Sequence, residues 1–351
     1  MTSKIYAMSS FLQLRAVYDK QHKFADKIGY PKDYSLPKAN KVNIECAKQL
    51  CNYLEEYVQK HTADGRAAIA LSGGIDSAIV AKYMPKNSVA YTLKCSVPGF
   101  DVVDETTQAQ LYCKSVKLEQ RIVEVTFEDY LEYSPQLMIQ KAAPIHSIEP
   151  QIYKMARQAK RDGLDRLIFA DNADMVFGGL DSLLRTSPVF GDFLERFSYV
   201  MPYKVLKEFV IVTEPFEKWS NAGLIDKHSF LNDVFSGEST NSYLNACTVA
   251  DVEFIDPFSN LYHDIDLDKI YAGDPKYIVR EAFNICYPDI IAPKKIPMHR
   301  AVDEWFRDWK GPSRAEFIPN CHFNMTGNEK YYVWILEQFL NLTDGLPVVR
   351  P

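Results

Sequence analysis

Hydrophobic positions in the first half of the chain follow two alternating patterns. From Val42 to Lys60, Ala47, Leu50, Cys51, Leu54 and Val58 recur three and four residues apart, which predicts an amphipathic helix after the break at Pro37. Short unbroken apolar runs follow: "AAIAL" from residue 67, "SVAYTL" from 88, "RIVEV" from 121 and "RLIFA" from 166. Such runs predict strands buried on both faces, as in a parallel sheet. Helix-spaced segments lie between them, over residues 78–83, 105–116 and 152–162. Strand alternating with helix predicts an α/β fold, a doubly wound and mainly parallel sheet with right-handed crossovers. Ligands on such sheets sit beyond the carboxyl ends of the strands.

After about Leu184 the strand signal fades. Aromatic and charged residues mix at helical spacing over 277–283, 301–309 and 330–340, so a mostly helical second half packed on the sheet is expected.

Composition narrows the class. The 351 residues are 47% hydrophobic and 25% charged, enough for a substantial core and unlike a disordered or fibrous chain. A net charge of −6 offers no bulk attraction for phosphate backbones or anionic membranes, so neither nucleic acid nor membrane is expected as a partner. No apolar run approaches the ~18 residues of a membrane helix. The start, "MTSKIYAMSSFLQLRAVYDK", has no small-residue cleavage site and is soon interrupted by Arg15 and Asp19. A cytoplasmic protein is the expectation. Seven cysteines without a CxxC pair fit reduced thiols, not a disulfide framework or a zinc site. Cys46 and Cys51 are expected to be ordinary buried residues of the first predicted helix.

The stretch "AAIALSGGIDSAIVAKY", residues 67–83, carries the first candidate chemistry. A Gly- and Ser-rich turn between a strand and a helix gathers backbone N–H groups at one point, which suits an anion such as phosphate. No Gly-Lys-Ser/Thr follows, so this is not a Walker loop. Asp76 is the wrong charge for an anion-binding turn unless a divalent cation stands between its carboxylate and the phosphate. The competing reading is a turn whose aspartate simply caps a helix.

The run "LSGGIDSAIV" resembles the pyrophosphate loop of the PP-loop ATP pyrophosphatases, enzymes that cleave ATP between its α and β phosphates. Two later segments make the resemblance specific to the synthetase domain of asparagine synthetases. "LIFADNADMVFGGL", residues 167–180, is similar to that family's acidic loop, and "VEFIDPFSNLYHDIDLDKIYAGDPKYIVREAFNICYPDIIAPKKIPMHRAVDEW", residues 252–305, to its C-terminal run. The echo of "GGIDS" in "GGLDS" at 178–182 is taken as coincidence, because no serine precedes it and no strand opens directly into it.

The resemblance implies a fold of the adenine nucleotide alpha hydrolase-like type in three parts. Residues 1–64 would form an extension with one amphipathic helix, 65–190 the PP-loop core, and 191–351 a helical part that completes the active site. It implies ATP and Mg2+ as cofactors. Leu71, Ser72, Gly73, Gly74, Ile75, Asp76, Ser77, Leu93 and Lys295 would contact the nucleotide, with the backbone of Leu71 and Leu93 at the adenine. Asp76 and Asp174 would hold the metal. Lys276 would stabilise departing pyrophosphate, Arg280 would face the same side one turn later, and Lys294 or Lys295 would add charge. Asp171 would act as general base or orient the incoming amine.

Departures from the family pattern cluster at that loop. Met175 replaces an acidic residue, Ala170 and Asn172 replace glycines, and Asp171 is one methylene, roughly 1.5 Å, shorter than the usual glutamate. The substrate is therefore expected to differ from that of the familiar enzyme. No N-terminal cysteine nucleophile is present, since Thr2 follows Met1, and too few residues precede the first strand to form a glutaminase domain. The expected reaction is AMP-forming activation of a small-molecule carboxylate, followed by amide formation with ammonia or a small amine. Whether a separate glutaminase subunit supplies ammonia, and whether the chain forms a homo-oligomer, stays open. The alternatives are a PP-loop sulfur-transfer or nucleic-acid-modifying enzyme, which calls for paired cysteines and a basic surface, and a catalytically decayed nucleotide-binding protein.

Overall fold

The computed structural model describes residues 3–36, 40–294 and 298–351. Five parallel strands form the central sheet: β1 (Ala67–Ala70), β2 (Val89–Cys95), β3 (Glu119–Val125), β4 (Arg166–Ile168) and β5 (Glu253–Ile255), in the order β3-β2-β1-β4-β5. The first four arise from the apolar runs. The strand order reverses between β1 and β4, and the loops leaving these two strands flank the crevice that such a reversal opens.

Alternate residues along each strand enter opposite cores, as strand geometry dictates. Ile69, Ala90, Ile168 and Ile255 face one cluster; Ala68, Tyr91, Leu167 and Phe254 face the other. The first cluster is covered by α2 (Ala47–Thr62), α3 (Ile75–Ala81), α4 (Thr106–Val116) and the later helix Tyr277–Cys286. The second takes α1 (Ser3–Leu14), α5 (Phe127–Lys141), α6 (Glu149–Arg161) and the later helices Ser236–Val249 and Gly327–Thr343. In chain order the remaining helices used below are α7 (Ala173–Val176), α8 (Ser236–Val249), α9 (Tyr277–Cys286) and α10 (Gly327–Thr343).

Local sequence sets several boundaries. Thr126 and Asp129 form a capping box at the start of α5, and Thr326 with Glu329 forms another at α10. Pro150 stands in the first turn of α6, where its missing N–H costs nothing.

The second half is mostly helical, as expected, and adds the edge strand β5. Three expectations are corrected. Val42–Asn43, expected at the start of a helix, instead pairs in parallel with Leu261–Tyr262, and the helix begins at Ala47. The helix expected over 301–309 is only Val302–Trp305. Cys46 is exposed, whereas Cys51 is buried and its Sγ lies 4.0 Å from that of Cys286 at the α2–α9 contact. Ahead of α2, the chain forms α1, whose residues from Tyr6 to Leu14 are all buried. No helix among the described residues is long and apolar enough to cross a membrane.

Candidate active site

β1 ends at Ala70 and the chain turns through Leu71, Ser72, Gly73 and Gly74 into α3. The loop is tied by its own hydroxyls. Ser72 N–H donates to Ser77 Oγ at 3.1 Å, Gly74 N–H donates to Ser72 Oγ at 3.1 Å, and the two serine hydroxyls are 2.9 Å apart. The Tyr112 hydroxyl on α4 donates to Gly73 O at 3.1 Å. A Cβ on Gly73 would stand 3.1 Å from Glu105 Cβ, so this position requires close approach. Burial raises the Glu105 carboxyl, partly offset by hydrogen bonding from the Gly73 N–H. The loop amides thus lie within reach of an acidic group.

Asp76, in the first turn of α3, meets two residues from distant parts of the chain. Lys276 Nζ donates to Asp76 Oδ2 and, at 2.8 Å, to Asp174 Oδ1 on α7. Lys276 is 5% exposed and caps α9 in a left-handed conformation, φ 59°. Burial alone would lower its pKa, but Asp174 and Asp76 outweigh burial and hold the ammonium protonated. Gly179, the second glycine of the acidic loop, lies against both partners: a Cβ there would overlap the Asp174 carboxylate and the Lys276 stem. The glycine that "GGLDS" contributes there makes room for the charge cluster.

The loop after β4 is fixed from β5. Asp256, buried at the end of that strand, accepts from Asn172 N–H at 2.9 Å and from Asn172 Nδ2 at 2.8 Å. Asn172 also bonds Thr240 and Ser236 of α8. Its φ of −79° suits any residue, so the family's glycine is not needed there. Burial raises Asp256 to about 6 against the hydrogen bonds from Asn172 and Phe258. Asp171 Oδ1 accepts from Ser239 at 2.9 Å, while the buried Oδ2 has no protein partner. Burial, reinforced by Asp256, pushes the Asp171 carboxyl well up.

Two cavities that share lining residues surround these groups. The smaller, about 110 Å³, has Leu71, Leu93, Ile152, Met155, Phe169 and Met298 in its walls, together with Asp76, Glu105 and Asp171. Leu71 N–H is occupied by Tyr91 O at 2.8 Å, so its backbone offers this cavity no donor. The larger, about 620 Å³, runs from Gly73, Gly74 and Ile75 past Asp76, Asp174 and Lys276 to Asp171 and Met175. Arg280 and Lys294 also line it; Arg280 is exposed, with the Asp274 carboxylate at 4.0 Å. Lys295 lies outside the described residues.

Sequence reasoning missed the far end of the large cavity, where Arg15, His146, Ser239, Tyr243 and Arg300 converge. Arg15 is buried, bonds Glu238 at 2.6 Å and lies 3.7 Å over the Tyr199 ring. Only Asp256 had a local signal, the Asp-Pro-Phe run.

Among the described residues no cluster of three or more His, Cys, Asp or Glu side chains could hold a metal ion. Asp76 and Asp174 nonetheless line one cavity together, and two carboxylates are a donor set that suits magnesium, which commonly takes one or two carboxylates, substrate phosphates and water.

The sequence model of the asparagine synthase family matches residues 49–239, more than half of the chain. The chain belongs to the asparagine synthase family. No curated protein sequence matches the chain. Similar solved structures include the NH3-dependent NAD synthetase of Campylobacter jejuni subsp. jejuni NCTC 11168 with nitrate (15% identity, 38% of this chain and 61% of that one, TM-score 0.25). A tRNA thiolase of Methanococcus maripaludis with its 4Fe-4S cluster is 15% identical over 72% of this chain and 83% of that one, TM-score 0.28. NMN synthetase of Francisella tularensis is 14% identical over 72% and 96%, TM-score 0.27. The chain thus spans less than two thirds of the NAD synthetase.

Proposed function

We propose that this family member adenylates a carboxylate with ATP, releases pyrophosphate, and joins the acyl group to ammonia or a small amine as an amide. The supporting observation is the meeting of Asp76, Asp174 and Lys276 beside the Ser72–Gly74 loop. In this reading the adenine enters the smaller cavity beside Leu71 and Leu93, and the phosphates lie along the loop. A carboxylate oxygen attacks the α-phosphorus, and the bond to the pyrophosphate oxygen breaks. Pyrophosphate leaves with several negative charges, which the loop amides, Lys276 and Arg280 stabilise as they develop. Asp76 and Asp174 would hold magnesium, whose charge would neutralise phosphate oxygens.

In this reading Asp171 would stand at the acyl end of the cleft. Its Oδ1 is held by Ser239, and its buried Oδ2, which has no protein partner, would be the atom that orients the incoming amine. Met175 presents an apolar wall where relatives carry an acid, which favours an acyl or amine partner unlike theirs.

The test is product analysis over panels of carboxylic acids and amines. AMP and pyrophosphate are expected in equal amounts, with Asp76→Asn and Asp174→Asn each lowering turnover on the order of 100-fold. ADP and phosphate as products would overturn the reading. Glutamine as sole nitrogen donor, with this chain alone, should release no glutamate, whereas ammonium or an amine should support turnover.

A further inference from the structure

Lys276 stands where the divalent cation of the proposed reaction would have to be. Its ammonium bonds Asp76 and Asp174 together, at 2.8 Å from Asp174 Oδ1. A magnesium ion needs carboxylate oxygens at about 2.0–2.1 Å and keeps a rigid octahedral shell of further oxygens. An ammonium held between the same two oxygens at hydrogen-bond distance fills that space and uses the same lone pairs. The two cations therefore exclude one another.

The lysine is held in place from both ends. Its backbone is fixed in the left-handed region at the start of α9. Its stem runs past Gly179, where any Cβ would strike it. Asp76 and Asp174 come from α3 and α7, so the ammonium also links the loops after β1 and β4 across the crevice. Removing it from the carboxylates is costly unless another anion receives it, because a buried ammonium without a partner is strongly disfavoured. Nucleotide phosphates along the adjoining loop are such an anion.

We propose that Lys276 is a place-holding cation, which neutralises Asp76 and Asp174 until nucleotide phosphates draw it away and the carboxylate pair accepts a divalent cation. This rests on the ATP- and magnesium-dependent reading above and adds an order to it. Metal binds weakly to the protein alone, and metal and nucleotide strengthen each other's binding through one side chain. The coupling is reciprocal by thermodynamic necessity.

Manganese binding, followed by electron paramagnetic resonance on the intact chain, tests it with and without α,β-methylene-ATP. In the absence of nucleotide, Lys276→Met should bind manganese on the order of 10-fold or more tightly than wild type, and the nucleotide should strengthen manganese binding to wild type but not to the variant. Equal manganese affinity of wild type and variant without nucleotide would overturn the proposal. Should the variant fail to fold, a crystal structure of wild type with manganese and α,β-methylene-ATP decides. Manganese between Asp76 and Asp174 with Lys276 withdrawn to the phosphates is expected; Lys276 still bridging the carboxylates overturns it. Metal-dependent release of AMP and pyrophosphate alongside tight metal binding to the protein alone would sink this proposal and leave the function standing. Failure to bind manganese in any state would sink both.

Discussion

Gly179 has no side chain at the point where the Asp174 carboxylate and the Lys276 stem meet, whereas a Cβ on Gly74 would touch only Ser72 Oγ, at 3.2 Å. The two glycines should therefore respond differently to the same added methyl group. Gly179→Ala is expected to cost roughly 1–3 kcal/mol, since overpacking forces neighbours out of place, and to lower pyrophosphate formation further by displacing Lys276. Gly74→Ala should fold with near wild-type stability, because its φ of −78° is ordinary for alanine. Thermal melts of both variants check the difference; equal stability losses would contradict it. The residues of the first loop were legible in the sequence because its turn, its charge and its neighbouring elements are contiguous. Arg15, Glu238 and Arg300 were not, because nothing near them in the chain marks them as lining a cavity.

At the scale of elements, the acidic loop after β4 is held by Asp256 at the end of β5, through two donors of Asn172 and one of Phe258. The Asp256 carboxyl titrates at about 6 in the folded protein, above its ordinary 3.8. Between these values the folded state binds more protons than the unfolded one, so this group's contribution to stability falls as pH rises from about 4 to 6 and is level above. The stability difference between wild type and Asp256→Asn, measured by denaturant melts across pH 4–7, should change within that window and not beyond it. A difference that is flat throughout would mean that Asp256 titrates normally. The central strands β1, β2 and β4 were legible as apolar runs, and β3, although an edge strand with Ile122 exposed, kept the run Ile122-Val123. β5 was not, because the exposed Glu253 interrupts Val252, Phe254 and Ile255. α8 was hidden for another reason: Glu238, Ser239, Thr240, Asn241, Ser242 and Asn245 are buried yet polar, and each takes part in hydrogen bonds, so they leave no apolar stripe. α1 buries Ser9, Ser10 and Gln13 along with its apolar residues, so no solvent face remains to set a helical period.

Across the whole molecule, α1 and α10 share one apolar core with α5, α6 and α8, so the chain's two ends close over the same face of the sheet. Arg15, at the end of α1, adds a buried pair with Glu238, and breaking such a pair typically costs about 3–5 kcal/mol. Residues 49–239 expressed alone should therefore show no cooperative thermal transition by circular dichroism, although the family match covers them; a sharp transition would show that the ends are dispensable. The same arrangement bears on how this architecture changes over evolutionary time. Asp76 and Asp174 lie within the matched stretch, while Lys276 lies beyond it on α9. A crossover between two related genes that falls between these positions would bring together carboxylates from one ancestor and an ammonium from another. Their side chains would have to meet beside one glycine with no slack. Viable recombinants should then be those in which the segment from α3 through α9 is inherited as a block, with exchange tolerated at the loops outside it.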